Sequence, residues 1–308
     1  MRVALFGGTG FVGGYLVDAL IARGHEPALL VRPGSETKVR QADRCRLTSG
    51  DLSSEDAVSA TLEDCDAVIF CVGILREAPR RGITFEELQF NAVARVAESA
   101  KSHGISRFLL MSANGVKVPG TPYQETKYRA EQYLRDAGFE VTVFRPSVIF
   151  GDPRGAMEIA TQLYRDMVAP PFPAVGFFTG WHPRRGAIWM SPVHVDDVAL
   201  AFLHALEDRS TIDETYELGG PDDLTWSQMI RRVAPAAGRD KWILPMPIGV
   251  MRLAATVLDW LPFFPVTRDQ LTMLAEGNTA SPTELAALTG RQPREFTPEN
   301  LAYLRDRP

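Results

Sequence analysis

Tyr123 and Lys127 stand four residues apart in Tyr123-Gln-Glu-Thr-Lys127, and Ser112 lies upstream at the end of an apolar run. A spacing of four puts two side chains on one helix face. An ammonium at 127 can then lower the pKa of a phenol at 123 from its reference of about 10 and help it trade a proton with a hydroxyl or carbonyl. Ser112 can hydrogen-bond the same oxygen. The three residues also fit a blander arrangement, a surface helix pair with Ser112 capping a strand end.

A second group sits at the start of the chain. Gly7-Gly8-Thr9-Gly10-Phe11-Val12-Gly13 follows an apolar run and opens a helix, with glycines where a tight turn, a close backbone approach and helix-sheet packing each exclude a Cβ. The N–H groups and partial positive charge of that helix start can hold a pyrophosphate. Outside a strand-turn-helix context this would be an ordinary glycine-rich loop; inside one it indicates a dinucleotide site built on Gly7, Thr9, Gly10, Phe11, Val12 and Gly13. The next apolar run, Leu29-Leu30-Val31, ends in Arg32 rather than in an acid. An acid there would bond a ribose 2′-hydroxyl and an arginine accommodates a 2′-phosphate, so NADP(H) is expected over NAD(H), with Lys38 and Arg40 as weaker phosphate contacts; the alternative is that all three are solvated surface charges. Asp51 can reach the adenine edge or cap its own turn.

The elements that must position these groups alternate. Apolar runs at Val3 to Phe6, Ala28 to Val31, Ala67 to Val72, Phe108 to Met111 and Val141 to Phe144 are separated by helical patterns, among them Phe85 to Ser102, Tyr123 to Ala137 and Val195 to Leu206. That order predicts an α/β fold, a Rossmann-type doubly wound parallel sheet with helices on both faces, over residues 1–150 and 190–220. A smaller, mainly helical C-terminal lobe is expected over 151–189 and 221–308. Thr225-Trp-Ser-Gln228 and Ser281-Pro-Thr-Glu284 match capping boxes, and Thr297-Pro298 sets proline at a first helical position. Residues 169–192 read as a long Pro-, Gly- and aromatic-rich loop, in which His182, Arg184 and Arg185 either face an anionic head group or are simply solvated. Asp196 or Asp197, after His194, is expected to satisfy a helix N-terminus.

Composition removes several function classes. A net charge of -5 lacks the basic excess that a phosphate backbone demands, so no nucleic-acid partner is expected. Cys45, Cys65 and Cys71 form no C-x-x-C pair, which argues against a disulfide framework and a zinc site and for a reducing compartment; no metal is expected. No secretion signal is visible, so a cytoplasmic location is expected. Ile248 to Val266 is broken by Arg252, Asp259, Pro262 and Pro265 and falls short of a membrane span. Met246 to Val266 is apolar enough to dock on the inner face of a membrane or on a hydrophobic partner, or to form a buried core of the second lobe.

The glycine turn, Asp51-Leu52, Cys71-Val72-Gly73, Ser112, the Tyr123 and Lys127 pair and Arg145-Pro146-Ser147-Val148-Ile149-Phe150-Gly151 together resemble the extended and atypical short-chain dehydrogenase/reductases. Pro192-Val193-His194-Val195-Asp196-Asp197-Val198, Leu218-Gly219-Gly220-Pro221 and Pro265-Val266-Thr267-Arg268-Asp269-Gln270-Leu271 resemble the subgroup containing the NADPH-binding accessory subunit of respiratory complex I and its bacterial relatives. The resemblance implies proton transfer by Tyr123, ribose binding and charge support by Lys127, and a substrate-oxygen contact by Ser112. It sets Leu52, Cys71, Val72 and Gly73 beside the cofactor and Pro146, Ser147 and Val148 near the nicotinamide. Asn91 matches the helix asparagine that completes many family sites. The chain departs from many extended members in having no second hydroxyl residue beside Ser112. The resemblance therefore carries two expectations: an NADP(H)-dependent oxidoreductase acting on a carbonyl or hydroxyl of an unspecified small molecule, quinone-related or lipid-like, or a non-catalytic NADPH-binding accessory protein of a respiratory or quinone-linked complex.

Overall fold

The computed structural model describes residues 1–251, 253 and 268–305. Most of the apolar stretch ending at Val266, and the first three residues of the Pro265 to Leu271 motif, lie outside these. The chain divides into two compact units, one of Met1–Pro146, Asp196–Glu217 and Ala287–Gly290, the other of Ser147–Val195, Leu218–Ala286 and Arg291–Pro308.

The first unit is the wound sheet. In chain order it runs β1 (Arg2–Phe6), α1 (Phe11–Ala22), β2 (Glu26–Val31), β3 (Arg46–Ser49), α2 (Glu55–Leu62), β4 (Ala67–Phe70), α3 (Ala92–Ser102), β5 (Arg107–Met111), α4 (Pro122–Asp136), β6 (Glu140–Pro146), α5 (Val195–Glu207) and β7 (Thr215–Leu218). The sheet order is β3-β2-β1-β4-β5-β6-β7, and every pairing from β3 across to β6 is parallel. The strands read as continuous apolar runs because both faces are covered. Ala4, Phe6, Ala28, Leu30, Val68, Phe70, Phe108, Leu110, Val141 and Val143 face one core with residues of α2, α3 and α4. Phe144 points to the opposite face, where its ring lies 4.2 Å from that of Phe202 on α5.

Local chemistry sets the helix starts. The Ser54 hydroxyl accepts from Ala57 N–H to cap α2, and Thr121 with Gln124 forms a capping box that opens α4 with Pro122 at its first turn. Asp196 and Asp197 lie in the first turn of α5, as the sequence predicts. One element departs from its pattern: the helix expected over 85–102 starts as a π-helical segment, Glu86–Asn91, before α3. Such segments are rare and frequently mark functional sites.

The second unit pairs Ile149–Phe150 with Val193–His194, Trp189–Met190 with Leu224–Thr225, and Ala174–Phe178 with Ile243–Pro247. Its helices include Trp226–Ala236, opened by the expected Thr225–Gln228 capping box, Arg268–Glu276 and Pro282–Thr289. Before the last of these, Ser281 Oγ accepts from Thr283 N–H. Thr297-Pro298 does not begin an α-helix; Leu301 N–H closes a single turn onto the Thr297 carbonyl, and a short 3-10 turn follows at Ala302–Leu304. His182, Arg184 and Arg185 are exposed on a turn in which Gly186 N–H bonds the His182 carbonyl. Among the described residues no helix is long and apolar enough to cross a membrane.

Candidate functional site

The register aligns the carboxyl ends of β1, β4, β5 and β6, so Gly7, Cys71, Ser112 and Ser147 each follow a strand end along one edge of the sheet. The strand order reverses between β1 and β4, and ligands of wound sheets bind outside the carboxyl ends at such a switch point.

At that point the glycine turn has no room for a side chain at Gly7 or Gly13. Gly7 has φ +102°, and a Cβ there would lie 2.9 Å from Cys71 Sγ; a Cβ on Gly13 would lie 2.0 Å from the Gly7 carbonyl oxygen. Gly10 is the N-cap of α1, makes no side-chain cap and is followed by no acid in the first turn. The turn therefore offers backbone N–H groups and a helix dipole, uncontested by any carboxylate of that first turn, to an anion. These features fit a dinucleotide pyrophosphate. Thr9 and Phe11 are partly accessible on this turn, and Val12 and Gly13 are buried beneath it.

Beyond β2, Arg32 is exposed and contributes to lowering the Asp51 pKa. Lys38 is likewise exposed, whereas Arg40 is held by Asp18 of α1 at 3.3 Å. Asp51 uses Oδ1 to accept from the N–H and hydroxyl of Ser53, and these bonds hold its carboxyl below the usual range. The turn-capping alternative is thus what its side chain does in this structure. Leu52 packs against the core of the first unit.

A second constellation lies at the end of β5. Ser112 is 4% exposed, and its hydroxyl oxygen is buried without a hydrogen-bond partner among the described residues. It lines a cavity of about 10 Å³, the size of one water, with Lys127, Gln89, Val72 and Met111 among its walls. Lys127 reaches in from α4 and donates to the Met111 carbonyl at 3.0 Å; its Nζ would be 3.7 Å from a Cβ on Gly73. Burial lowers its pKa to about 8, against the opposing pull of Glu131 and Cys71. Glu131, one turn further along α4 and 1% exposed, is held by both nitrogens of an Arg145 fork, Nε to Oε1 at 3.0 Å and Nη2 to Oε2. Burial pushes the Cys71 thiol up to about 12, and its Sγ contacts the Phe6 carbonyl at 3.2 Å.

Tyr123 shares the face of Lys127, as the spacing requires, and packs edge-on against Phe85 at 5.7 Å. The expected lowering of its phenol is not what the structure gives. Lys127 Nζ lies 5.8 Å from the ring centroid while bonded to Met111, and burial instead pushes the phenol above the ordinary tyrosine range.

Asn91 is not brought to this cavity. Its Nδ2 donates to Glu87 Oε2 at 3.0 Å, and Arg95 holds the other oxygen of the same carboxylate. Gln89, which the sequence reading missed, is 2% exposed and lines the cavity. A signal for it existed: counting back from the buried Val93 and Val96 in steps of three and four reaches Gln89, whereas Asn91 shares its face with Glu87 and Arg95. The Pro146 carbonyl accepts from Asn114 N–H. In the second unit the Ser147 hydroxyl donates to the Asn278 carbonyl at 2.7 Å, and the Val148 carbonyl accepts from Val193 N–H. Among the described residues no group of three or more His, Cys, Asp or Glu could hold a metal.

A wound parallel sheet with a glycine turn at its switch point defines the Rossmann class of dinucleotide-binding proteins. The match to known proteins agrees: a family model described as NAD(P)H-binding matches residues 7–167, more than half of the chain, and the chain belongs to that family. It is 28% identical over 301 residues to the mitochondrial NADH dehydrogenase (ubiquinone) 1 alpha subcomplex subunit 9 of Arabidopsis thaliana, covering 92% of this chain and 70% of that protein. It is 25% identical over 266 residues to a ceramide reductase of Caulobacter vibrioides, covering 84% and 78%. Among solved structures, the UDP-glucose 4-epimerase of Thermus thermophilus in complex with NAD matches with a TM-score of 0.74 and 21% identity over 99% of this chain and 98% of that one. That likeness bears on the fold.

Proposed function

We propose that the chain is an NADP(H)-dependent oxidoreductase of the atypical short-chain type, acting on a carbonyl or hydroxyl carbon. The observation that carries this reading is the Ser112 hydroxyl, buried and without a partner among the described residues, beside the Lys127 ammonium at the carboxyl edge of the sheet. A buried polar group left unsatisfied is costly, and a substrate oxygen is a partner that offsets the cost. A bound nicotinamide supplies or accepts the hydride. The chain's own part is positional and protonic. Ser112 holds the substrate oxygen, Tyr123 Oη exchanges a proton with it, and Lys127 binds the ribose hydroxyls and favours the phenolate once it is engaged. Gly7 to Gly13 hold the pyrophosphate, Cys71 to Gly73 and Pro146 flank the cofactor, and Arg32, with Lys38 as a weaker contact, meets a 2′-phosphate.

Two measurements test this. Dissociation constants for NADPH and NADH in wild type and Arg32→Ala should show a preference for NADPH that the variant loses; equal affinities in wild type sink the NADP(H) assignment. Absorbance of the reduced cofactor during challenge with quinones, ketones and nucleotide sugars should fall for one class and not in Tyr123→Phe.

A second reading is favoured by the raised Tyr123 phenol and by the likeness to complex I subunits: a cofactor-binding accessory protein, cytoplasmic and peripheral at the inner face of the membrane against a respiratory-complex partner. In that case bound NADPH stabilises the fold by mass action, and native mass spectrometry finds a co-purifying cofactor that no substrate oxidises.

A further inference from the structure

We propose that Gln89 is the positioning residue of the site, whereas the family resemblance implies Asn91 as the residue that completes it. The proposal rests on the cofactor placement given above. Gln89 Nε2 donates to the Ile74 carbonyl at 3.1 Å, and Oε1 accepts from the Thr126 hydroxyl at 2.9 Å. Ile74 directly follows Gly73, and Thr126 directly precedes Lys127. One planar amide thus ties the loop leaving β4 to the helix that carries Tyr123 and Lys127, one residue away from Gly73 on one side and from Lys127 on the other.

The amide has one orientation that serves both neighbours, because a carbonyl can only accept and Nε2 is the donor end. The Thr126 hydroxyl also lies within reach of the Pro122 and Tyr123 carbonyls. Both of those belong to the first turn of α4, so among the described residues only the bond to Gln89 leads out of that helix. At 2% exposure an unpaired amide would be costly, which favours giving the single Thr126 hydroxyl proton to Gln89 Oε1 over the two carbonyls of its own helix. The π-helical winding of Glu86–Asn91 carries Gln89 at the helix start, where it meets both segments at once.

Removing the amide frees the Gly73 loop from α4. The nicotinamide ribose that would be held there would lose its fixed seat, while the ADP half, whose pyrophosphate the glycine turn would hold, would keep its own. The test measures dissociation constants on the full chain for whichever of NADPH and NADH binds more tightly, and for ADP, which lacks the nicotinamide ribose. Gln89→Leu should weaken the dinucleotide about tenfold, the effect of roughly one net hydrogen bond, and leave ADP unchanged within about a factor of two. Thr126→Val, nearly isosteric, should weaken the dinucleotide in the same direction, and the double variant should lose no more than Gln89→Leu alone because the two share one bond. Equal losses for dinucleotide and ADP would mean a merely structural residue and overturn the proposal. So would full dinucleotide affinity in Gln89→Leu or, should that variant not fold, in Thr126→Val, while Lys127→Ala weakens it. If Lys127→Ala has no effect on the dinucleotide, the underlying cofactor placement falls and the proposal falls with it.

Discussion

Lys127 is expected to cost the folded chain stability at neutral pH, and replacing it with Met should recover some of it. Lys127 is 7% exposed, and burial brings its pKa from 10.5 to about 8. The unfolded chain therefore holds this proton more tightly than the folded one. Below pH 8 both states are protonated and the folded state bears the whole penalty, about 3 kcal/mol for that fall in pKa. Between the two pKa values the unfolded state binds more protons, so stability contributed by this group rises with pH: the penalty falls to about 2 kcal/mol at about pH 9 and below about 1 kcal/mol at about pH 10. Lys127→Met also loses the bond to the Met111 carbonyl, worth about 1 kcal/mol. The variant should thus be more stable than wild type by about 2 kcal/mol at pH 7, a Tm rise of roughly 5 °C, with the advantage shrinking to nothing near pH 10. Differential scanning calorimetry of both proteins from about pH 7 to about pH 10, without added cofactor, reads this directly, since other titrations cancel in the difference. A Tm below that of wild type at neutral pH, or an advantage that does not decline with pH, would refute the argument. The same variant should bind dinucleotide more weakly, the expected exchange between stability and function at a site that keeps a buried charge.

Three further outcomes follow from the packing. Gly13→Ala puts a Cβ 2.0 Å from the Gly7 carbonyl and 2.7 Å from Gly8 Cα, so backbone must move; cofactor affinity should drop at least about a hundredfold with a stability loss of about 1–3 kcal/mol, read by titration and thermal unfolding. Glu131→Gln leaves the Arg145 guanidinium half-buried without its carboxylate and should cost about 3 kcal/mol in urea unfolding, whereas Glu131→Leu with Arg145→Leu should recover most of the loss; a double variant no better than the single would speak against the ion pair. Phe202→Ala removes the ring that lies on Phe144 and should cost about 3–5 kcal/mol, measured the same way.

How much of this was legible in sequence depends on which physical signal each residue carries. The strands of the wound sheet were readable because both of their faces are buried, so Ala67 to Phe70 or Phe108 to Met111 must be apolar without interruption. The glycine turn was readable because sterics there are absolute: nothing larger fits at Gly7 or Gly13. Polar side chains obey weaker rules, and the reading frayed with them. Asp51 and Asn91 stand out by residue type and motif, yet an Asp bonds its own turn as readily as a ligand, and an Asn among Glu87 and Arg95 finds partners on its own face. Likewise a spacing of four put Tyr123 and Lys127 on one face but could not fix where the ammonium goes, which is decided by a carbonyl on β5, sixteen residues upstream of Lys127. Gln89 shows the complement. A polar residue on the apolar stripe of a helix is expensive to bury, so finding one in line with Val93 and Val96 is itself a signal that partners await it. In a wound sheet the turns that bind the cofactor are legible from sterics; the amides and charges that aim the reaction are found by asking which polar residue occupies a position that packing reserves for an apolar one.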